Sequence, residues 1–483
     1  MARARDGELR RVRALDIRAD VTELLRRLVT CDTSNPPGHE VQAAAVLEDY
    51  FSRSGIECRR VEKDPERPNL LATLPGRGDG PSLAFLGHLD VVPARREHWS
   101  VEPFGGIVRD GAVWGRGTID MKCQVAATAV ALAVLAREGF CPGGDLMLIL
   151  TSDEEVGDAG VGAPHLVAAL PDLEVDYVVG EGAGERFATS KGPVYLLDHG
   201  AKGTVTATVV VRGEAADASL PGTGRNALGK AAFLLDRVER HRGEIRLAPE
   251  IEPLLRHVSL PSGELHVPDV ALELILGGLV RNVVRATGIE APGPRNAVPD
   301  KAVLHLQCIV LPGTTKAEAE AEIRSALGPG DFELEVEEPL GGSTSALETP
   351  LHHAITDFLA EHDPEAQLIP ALGYGFSDCH FMREAYGAVA YGFIPFRNGD
   401  PIVNLRSKHG ADERVLVDDL EFQALAALSV SRAIGALTAD DHGVRGAVAQ
   451  ALAPRRRERE RSPDEVEEEP VHGTEEIASE RRP

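Results

Sequence analysis

The sequence predicts an α/β fold in which a β-sheet carries helices on both of its faces. Three apolar runs, at 82–86, 145–150 and 175–179, are typical of buried strands. The segment between the last two runs is punctuated by glycine and proline and leaves room for a helix. At 483 residues the chain is too long for one compact core, so we expect two domains, or one domain that carries a large insertion.

Helices are predicted before the first strand and between the strands. Over 21–29, Leu24, Leu25 and Leu28 recur at helical spacing, and a second helix is expected over 40–52. The sequence Asn-Pro-Pro-Gly at 35–38 separates the two, because proline and glycine interrupt helices. An alanine-rich stretch of about four turns follows Asp120 and is a third predicted helix.

The stretch 203–312 differs in character and predicts an inserted α+β lid. It opens with a strand-like run at 204–211, continues with a helix at 226–240 and closes with a strand-like run at 302–311. Helical periodicity resumes at Leu351, and a strand at 388–393 and a helix at 417–434 should return the chain to the first domain. We therefore expect a catalytic domain over 1–200 and 313–440, a lid over 201–312, and a disordered charged tail over 441–483, because the sequence from Pro454 onward lacks the apolar residues needed to offset ordering entropy.

The composition argues against several classes of partner. Acidic residues outnumber basic ones by 76 to 51, which gives a formal net charge of -25. Most of the surface would repel a nucleic-acid backbone, so we expect no nucleic-acid partner. The sequence contains no run of about 18 apolar residues and no secretory signal, so we expect a cytoplasmic protein without a membrane partner. The six cysteines lack the paired spacing of a disulfide framework or a structural zinc site.

Acidic residues and a histidine follow the predicted strands, at the edge where open α/β sheets place their ligands. After the first strand, alternation puts His88 and Asp90 on the same side of the chain, so the carboxylate can hold the imidazole of a metal-binding histidine. Three consecutive acids at 153–155 follow the second strand, and their mutual repulsion is costly without a cation. Asp120 precedes the alanine-rich helix, and Glu181 follows the third strand. Together these positions indicate a metal centre.

At these positions the sequence resembles the M20 family of metallopeptidases and acylases, which contains aminoacylase, acetylornithine deacetylase, succinyl-diaminopimelate desuccinylase and glutamate carboxypeptidase. The resemblance extends from about Val21 to Ile434. It implies a zinc-exopeptidase-like catalytic domain with a mixed sheet, and an inserted α+β domain that serves as a lid and for dimerisation. A homodimer formed through the lid is therefore a candidate assembly.

The resemblance implies two zinc ions per chain, with cobalt or manganese as substitutes. One ion would be held by His88, Asp120 and Glu181, and the other by Asp120, Glu155 and His409. Asp120 would then bridge the two ions. A mixture of imidazole nitrogen and carboxylate oxygen suits zinc, and each ion would keep an open position for water or substrate.

The resemblance assigns catalysis to Glu154 and Asp90. Glu154 would be the general base that takes a proton from the metal-activated water and gives it to the leaving nitrogen, whereas its neighbour Glu155 would bind metal. Asp90 would orient His88. The resemblance also implies a cis peptide bond between Asp120 and Met121.

Two positions in the inserted segment depart from the family pattern. Relatives carry a histidine that stabilises the oxyanion in a neighbouring subunit's active site where this chain has Asp217, and an arginine that grips a substrate carboxylate where it has Ile309. The turn at Asn296 does match the family, so Asn296 is a candidate substrate contact. Arg225 and Arg295 are candidate replacement cations, although a surface position is the simpler interpretation for both.

The segment 373–380 resembles the family loop that lines the substrate pocket. Asp378 is predicted to order this loop and, together with Asn296 and Asp217, is a candidate substrate contact. For His380 we expect a structural role, because the two-metal ligand set is complete without it.

Two functions are therefore open. The first is a dinuclear zinc hydrolase that cleaves an amide bond in a small molecule, either an N-acyl amino acid or a short peptide. The second is a non-catalytic or repurposed homologue that binds metal and a ligand. The complete ligand set and Glu154 favour the first, whereas Asp217 and Ile309 favour the second.

Overall fold

The strands predicted at 82–86, 145–150 and 175–179 lie side by side in the middle of an eight-stranded sheet in the computed structural model, which describes residues 17–157, 159–260, 262–263 and 265–438. In spatial order the sheet comprises β1 (Glu57–Val61), β2 (Asn69–Leu74), β6 (Leu146–Thr151), β3 (Leu83–His88), β7 (Tyr177–Phe187), β17 (Val389–Phe396), β8 (Val194–Ala201) and β16 (Gln367–Gly373). β3 is parallel to β6 and β7, whereas β2 is antiparallel to both of its neighbours. The predicted mixed sheet is therefore confirmed.

Helices cover both faces of this sheet, as predicted. Phe85 and Leu148 share one core with α1 (17–29), α2 (Val41–Ser52), α3 (Lys122–Arg137), α9 (Pro350–His362) and α12 (Val417–Gly435). Leu86 and Ile149, one residue further along each strand, share a second core with α4 (Ala163–Ala169) and α10 (Cys379–Tyr386). Successive side chains of a strand point to opposite faces, so these strands are apolar throughout because both faces are buried.

A second sheet is built from the inserted segment and from residues beyond it. Its order is β11 (Val283–Glu290), β13 (Lys301–Val310), β9 (Gly203–Arg212) and β14 (Glu333–Val336), and β15 (Leu340–Gly341) also pairs with β9. Helices α5 (Ala227–Arg240) and α8 (Lys316–Leu327) pack on one face. Asn226 caps α5, because its side chain accepts a hydrogen bond from the Gly229 backbone N–H. The sheet thus extends past residue 312, where the lid was predicted to end.

Two helices of the inserted segment, α6 (Glu252–Val258) and α7 (Val270–Leu279), pack against β8 and β16 of the large sheet instead of the second sheet. The remaining elements are small. They comprise a three-stranded sheet of β4 (Ile107–Arg109), β5 (Ala112–Trp114) and β18 (Arg414–Leu416), a pair formed by β10 (Ala216–Asp217) and β12 (Ala297–Val298), and α11 (Pro401–Ser407). All described residues fall in one compact unit, so the predicted division into domains stays a prediction.

The tail predicted to be disordered, 441–483, lies outside the described residues. None of the helices in the part of the chain that the structure describes combines the length and the apolar character that a membrane crossing requires.

Candidate metal centre

Asp120 lies between the two predicted histidine ligands. Its Oδ1 is 3.2 Å from His88 Nε2, and its Oδ2 is 3.2 Å from His409 Nε2. Each carboxylate oxygen therefore faces a different imidazole, which is the arrangement expected of a bridging carboxylate. The Asp120–Met121 peptide bond is cis, so that expectation is confirmed.

Three glutamates complete the group. Glu155 Oε2 lies 3.0 Å from His409 Nε2, whereas Glu181 Oε2 and Glu154 Oε2 lie 3.7 and 3.9 Å from His88 Nε2. Two sets, His88 with Asp120 and Glu155, and His88 with Glu154 and Glu181, each have potential ligand atoms within 4.8 Å of one another. The five predicted ligands and the predicted base therefore converge on one place.

His88 closes β3, and its ring is oriented by the backbone that follows it. Nδ1 lies 2.9 Å from the backbone oxygen of Asp90 and 3.6 Å from a carboxylate oxygen of the same residue. Because a carbonyl oxygen can only accept, Nδ1 carries a proton and donates it, and Nε2 is the nitrogen that faces the carboxylates.

The Asp90 carboxylate, which lies 3.6 Å from His88 Nδ1, also contacts the loop that carries Glu154 and Glu155. Its oxygens accept hydrogen bonds from the backbone N–H groups of Glu154, at 3.2 Å, and of Glu155, at 3.1 Å. It also accepts a hydrogen bond from the Asn35 side-chain amide at 2.9 Å. Asp90 therefore orients the loop that carries the two glutamates, while its backbone oxygen orients His88.

The same loop is also held by a buried network of polar side chains around Asp153. Asp153 adopts a positive φ of 62°, which turns the chain directly after β6 and lets Glu154 point to His88 while Glu155 points to His409. The Asp153 carboxylate accepts a hydrogen bond from Asn35 at 3.0 Å and pairs with Arg67 at 3.3 Å. Sequence reasoning missed this network, because its members are far apart in the chain.

Glu181 is not at a strand end, as the sequence analysis expected, but inside β7. On the neighbouring strand β17, Gly392 pairs with Gly180 and Phe393 pairs with Ala183, so Glu181 and Gly182 form a bulge. A bulge redirects a side chain without ending the strand. A Cβ atom at Gly182 would lie 2.5 Å from the Cα atom of Gly392, so the bulge requires glycine there.

Lys408 belongs to the centre and was not assigned a role from the sequence. Its Nζ donates a hydrogen bond of 3.4 Å to Glu181 Oε1. It directly follows α11 and precedes His409, whose φ is 56°; Lys408 pairs with Glu181, whereas His409 faces Asp120 and Glu155. Burial alone would lower the pKa of Lys408, but Tyr374 and the surrounding carboxylates outweigh it and raise this pKa well above its usual value.

The other ionisable groups also reflect an excess of negative charge. Burial and the neighbouring Glu181 raise the pKa of Glu154 well above its usual value, and burial and Asp120 raise the pKa of Glu181. Hydrogen bonds to Asp120 and Glu155 raise the pKa of His409 to about 10. Clustered carboxylates of this kind are stabilised by positive charge.

A divalent metal ion fits these residues. Glu155 Oε1 is buried and has no hydrogen-bond partner among the described residues, which is costly for a carboxylate oxygen unless a cation faces it. The donor set combines imidazole nitrogen with carboxylate oxygen and contains no thiolate. This combination suits zinc, cobalt or manganese.

Asp378 lies beside the centre, and its contact with substrate stays a prediction. It lines a small cavity together with His88, Glu154 and Glu181, and it accepts a hydrogen bond of 2.7 Å from the Thr151 hydroxyl. Burial raises the pKa of Asp378 to about 7, although the Thr151 hydrogen bond opposes that shift.

The other two candidate substrate contacts lie at the small sheet, where Asp217 ends β10 and Asn296 directly precedes β12. Asp217 is exposed, and its carboxylate accepts hydrogen bonds from the backbone and the hydroxyl of Ser219. The Ala218 N–H donates to the backbone oxygen of Asn296. Within the described residues, neither Asp217 nor Asn296 forms a hydrogen bond or ion pair with the metal centre.

The remaining candidates occupy structural or surface positions. Ile309 lies on β13 and points away from the core that Cys308 and Val310 join. Arg225 is exposed and pairs with Glu214 at 2.6 Å, and Arg295 is also exposed, so both are surface arginines as expected. His380 Nδ1 lies 3.0 Å from the Ser343 hydroxyl, in keeping with a structural role.

The amino-acid sequence of this chain is similar to those of succinyl-diaminopimelate desuccinylases. Succinyl-diaminopimelate desuccinylase from Rhodospirillum rubrum is 29% identical over 436 residues, which cover 83% of this chain and 95% of the relative. The protein of the same name from Cereibacter sphaeroides (strain ATCC 17025) is 32% identical over 229 residues, which cover 46% of this chain. The matched part spans 57% of that relative, a little more than half of its length.

Solved structures resemble the whole described fold. An M20 family metallo-carboxypeptidase from Sulfolobus solfataricus has a TM-score of 0.66 at 18% identity, over 86% of this chain and 98% of its own. Human carnosine dipeptidase 1 has a TM-score of 0.67 at 17% identity, over 86% of this chain and 96% of its own. These similarities confirm the predicted fold class.

A match to a family model shows the family to which this chain belongs. The model of peptidase family M20/M25/M40 matches residues 84–431, which is more than half of the chain. The matched range begins in β3, just before His88, and ends in α12, after His409, so it includes every predicted ligand. The chain therefore belongs to peptidase family M20/M25/M40, as its resemblance to the M20 family implied.

Proposed function

We propose that this chain is a metal-dependent hydrolase that cleaves an amide bond in an N-acyl amino acid or a short peptide, with two zinc ions per chain. The observation that carries the proposal is the position of Asp120 between His88 and His409, with Glu154 beside His88. The relatives named desuccinylase and dipeptidase support this substrate class.

Metal binding would rest on five residues, namely His88, Asp120, Glu155, Glu181 and His409. Metal ions bound there would polarise the scissile carbonyl and lower the pKa of a water molecule. Glu154 would accept a proton from the attacking water on its carboxylate and pass it to the leaving nitrogen. Asp90 would keep the 153–155 loop in place, and Asp378, which lines the same cavity, would contact the substrate.

Asp217 and Asn296 are proposed to contact substrate only through a larger assembly or a movement of the inserted segment, since within the described residues they form no hydrogen bond or ion pair with the centre. A homodimer formed through the inserted lid would be one such assembly, and it stays a prediction. The cytoplasmic location and the absence of a nucleic-acid partner also stay predictions.

The function is tested by removing and restoring metal. We expect the purified protein to hydrolyse members of a panel of N-acyl amino acids, N-succinyl compounds included, and dipeptides. Activity should fall to background after chelation, because the ions activate the water, and it should return on addition of zinc, cobalt or manganese. Release of the free amine is measured alongside the metal content.

Full metal occupancy without hydrolysis of any panel member would contradict the proposal. That result would favour the second candidate, a repurposed homologue that binds metal and a ligand without turnover. Asp217 and Ile309 are the residues that motivate this alternative, since each replaces a side chain that contacts substrate in the family.

A further inference from the structure

Glu413 is fully buried and collects four hydrogen bonds from one loop. Its Oε1 accepts from the backbone N–H groups of Ile119, at 2.6 Å, and Asp120, at 3.0 Å. Its Oε2 accepts from the backbone N–H of Gly117, at 2.9 Å, and from Arg116 Nη1, at 2.5 Å. A single carboxylate therefore fixes the backbone that carries the predicted bridging residue.

Arg116 joins this loop to the segment that carries His409. Its Nη2 donates a hydrogen bond of 2.7 Å to the backbone oxygen of Gly410, the residue after His409. The Gly115 N–H donates in turn to the backbone oxygen of Glu413 at 3.0 Å. The loops 115–120 and 409–413 are thus connected by side chains and backbone, with one predicted ligand on each.

A contribution to stability does not by itself explain the buried pair of Arg116 and Glu413. The side chains of Arg116 and Glu413 are 3% and 0% exposed, and a buried ion pair often contributes no more to stability than apolar side chains of similar volume. What the pair does provide is a connection between the two loops, because Glu413 binds the backbone of Asp120 and Arg116 binds the backbone beside His409.

We propose that Glu413 and Arg116 are positioning residues that hold Asp120 and His409 at the separation required for metal binding. The inference rests on the proposed metal centre and goes beyond it, because neither residue is a predicted ligand. Residues that orient metal ligands typically change metal affinity by about 10- to 100-fold when they are replaced.

Asp419 offers a matched control. It is 1% exposed, and its carboxylate accepts hydrogen bonds from the backbone N–H groups of Arg397, Asn398 and Gly399. Within the described residues it makes no contact with a predicted ligand. Glu413→Gln and Asp419→Asn therefore remove the same charge from similar buried loop anchors, but only the first anchor carries a ligand.

The experiment measures metal affinity and folding stability separately. Zinc affinity of the metal-free full-length chain is measured by competition with a chromophoric chelator, ligand geometry from the visible spectrum of the cobalt-loaded protein, and stability from the urea midpoint. We expect Glu413→Gln to weaken zinc binding by about 10- to 100-fold and to change the cobalt spectrum. Asp419→Asn should change neither, even where it lowers the urea midpoint.

Equal losses of affinity in both variants, or unaltered affinity in Glu413→Gln, would overturn the inference. If Glu413→Gln does not fold, Arg116→Lys decides, because a lysine cannot bridge Glu413 and Gly410 as the guanidinium does. Arg116→Lys must then bind zinc more weakly than Asp419→Asn, or the inference is wrong. An unaltered protein that takes up no metal would instead reject the proposed function itself.

Discussion

Replacing Glu154 by glutamine should leave both metal ions bound and reduce amide hydrolysis by about 10²- to 10⁴-fold, the usual contribution of a general base. Glutamine keeps the shape of the side chain, which is 13% exposed, but it cannot accept a proton from water. The measurement is the turnover rate at saturating substrate together with the metal content of the purified variant.

Glu155→Gln is the paired variant. Glu155 Oε2 lies 3.0 Å from His409 Nε2, and Oε1 is buried without a partner, so the loss of its charge should release one ion. The two variants must be compared, because Glu154 could itself bind metal: it belongs to a set of potential ligand atoms with His88 and Glu181. Loss of an ion in Glu154→Gln would show that Glu154 is a ligand, and two retained ions in both variants would contradict the assignment of Glu155.

The residues of the centre could be predicted where a local pattern marks them. His88 closes an apolar strand that is buried on both faces, and Asp120 precedes a helix whose alanine-rich sequence is unambiguous. Both features depend on neighbouring residues in the chain, so the sequence contains enough information to place them. The family resemblance then paired them with His409.

Other features depend on contacts between distant segments. The sequence predicted that Glu181 follows a strand, because the bulge that contains it is defined only by pairing with β17, about 210 residues later. Lys408 and Glu181, which form a hydrogen bond, are separated by a similar number of residues along the chain. Strand β8 was not predicted, because Asp198 and His199 interrupt its apolar run. Local periodicity does not report such pairings.

The contacts of the Asp90 carboxylate could also be predicted only in part from the local sequence. Alternation correctly placed it beside His88, yet its carboxylate binds the backbone of Glu154 and Glu155 more closely than it approaches the imidazole. That arrangement includes the turn at Asp153, which has a positive φ and contacts Asn35, Arg67 and Glu40. The geometry of the catalytic loop is therefore a tertiary property.

The buried network around Asp153 should also contribute strongly to the stability of the fold, and Arg67 is the residue that tests this. Arg67 is 7% exposed and pairs with Glu40 at 2.7 Å and with Asp153 at 3.3 Å, whose side chains are 0% and 2% exposed. Replacing Arg67 by methionine should lower the free energy of unfolding by about 3 to 5 kcal/mol, because it leaves buried carboxylates without their cation. Urea unfolding of the metal-free protein measures the change.

Arg60→Met is the control, because Arg60 also binds a glutamate through two hydrogen bonds, both of 2.7 Å to Glu48, but on the surface, with side chains 33% and 32% exposed. An exposed pair of this kind contributes about 0 to 1 kcal/mol. If Arg67→Met cost no more than Arg60→Met, the buried network would not stabilise the fold. Adding Glu40→Gln to Arg67→Met should recover part of the loss, because it removes one of the uncompensated charges; no recovery would mean that the loss comes from packing around the Arg67 side chain rather than from charge.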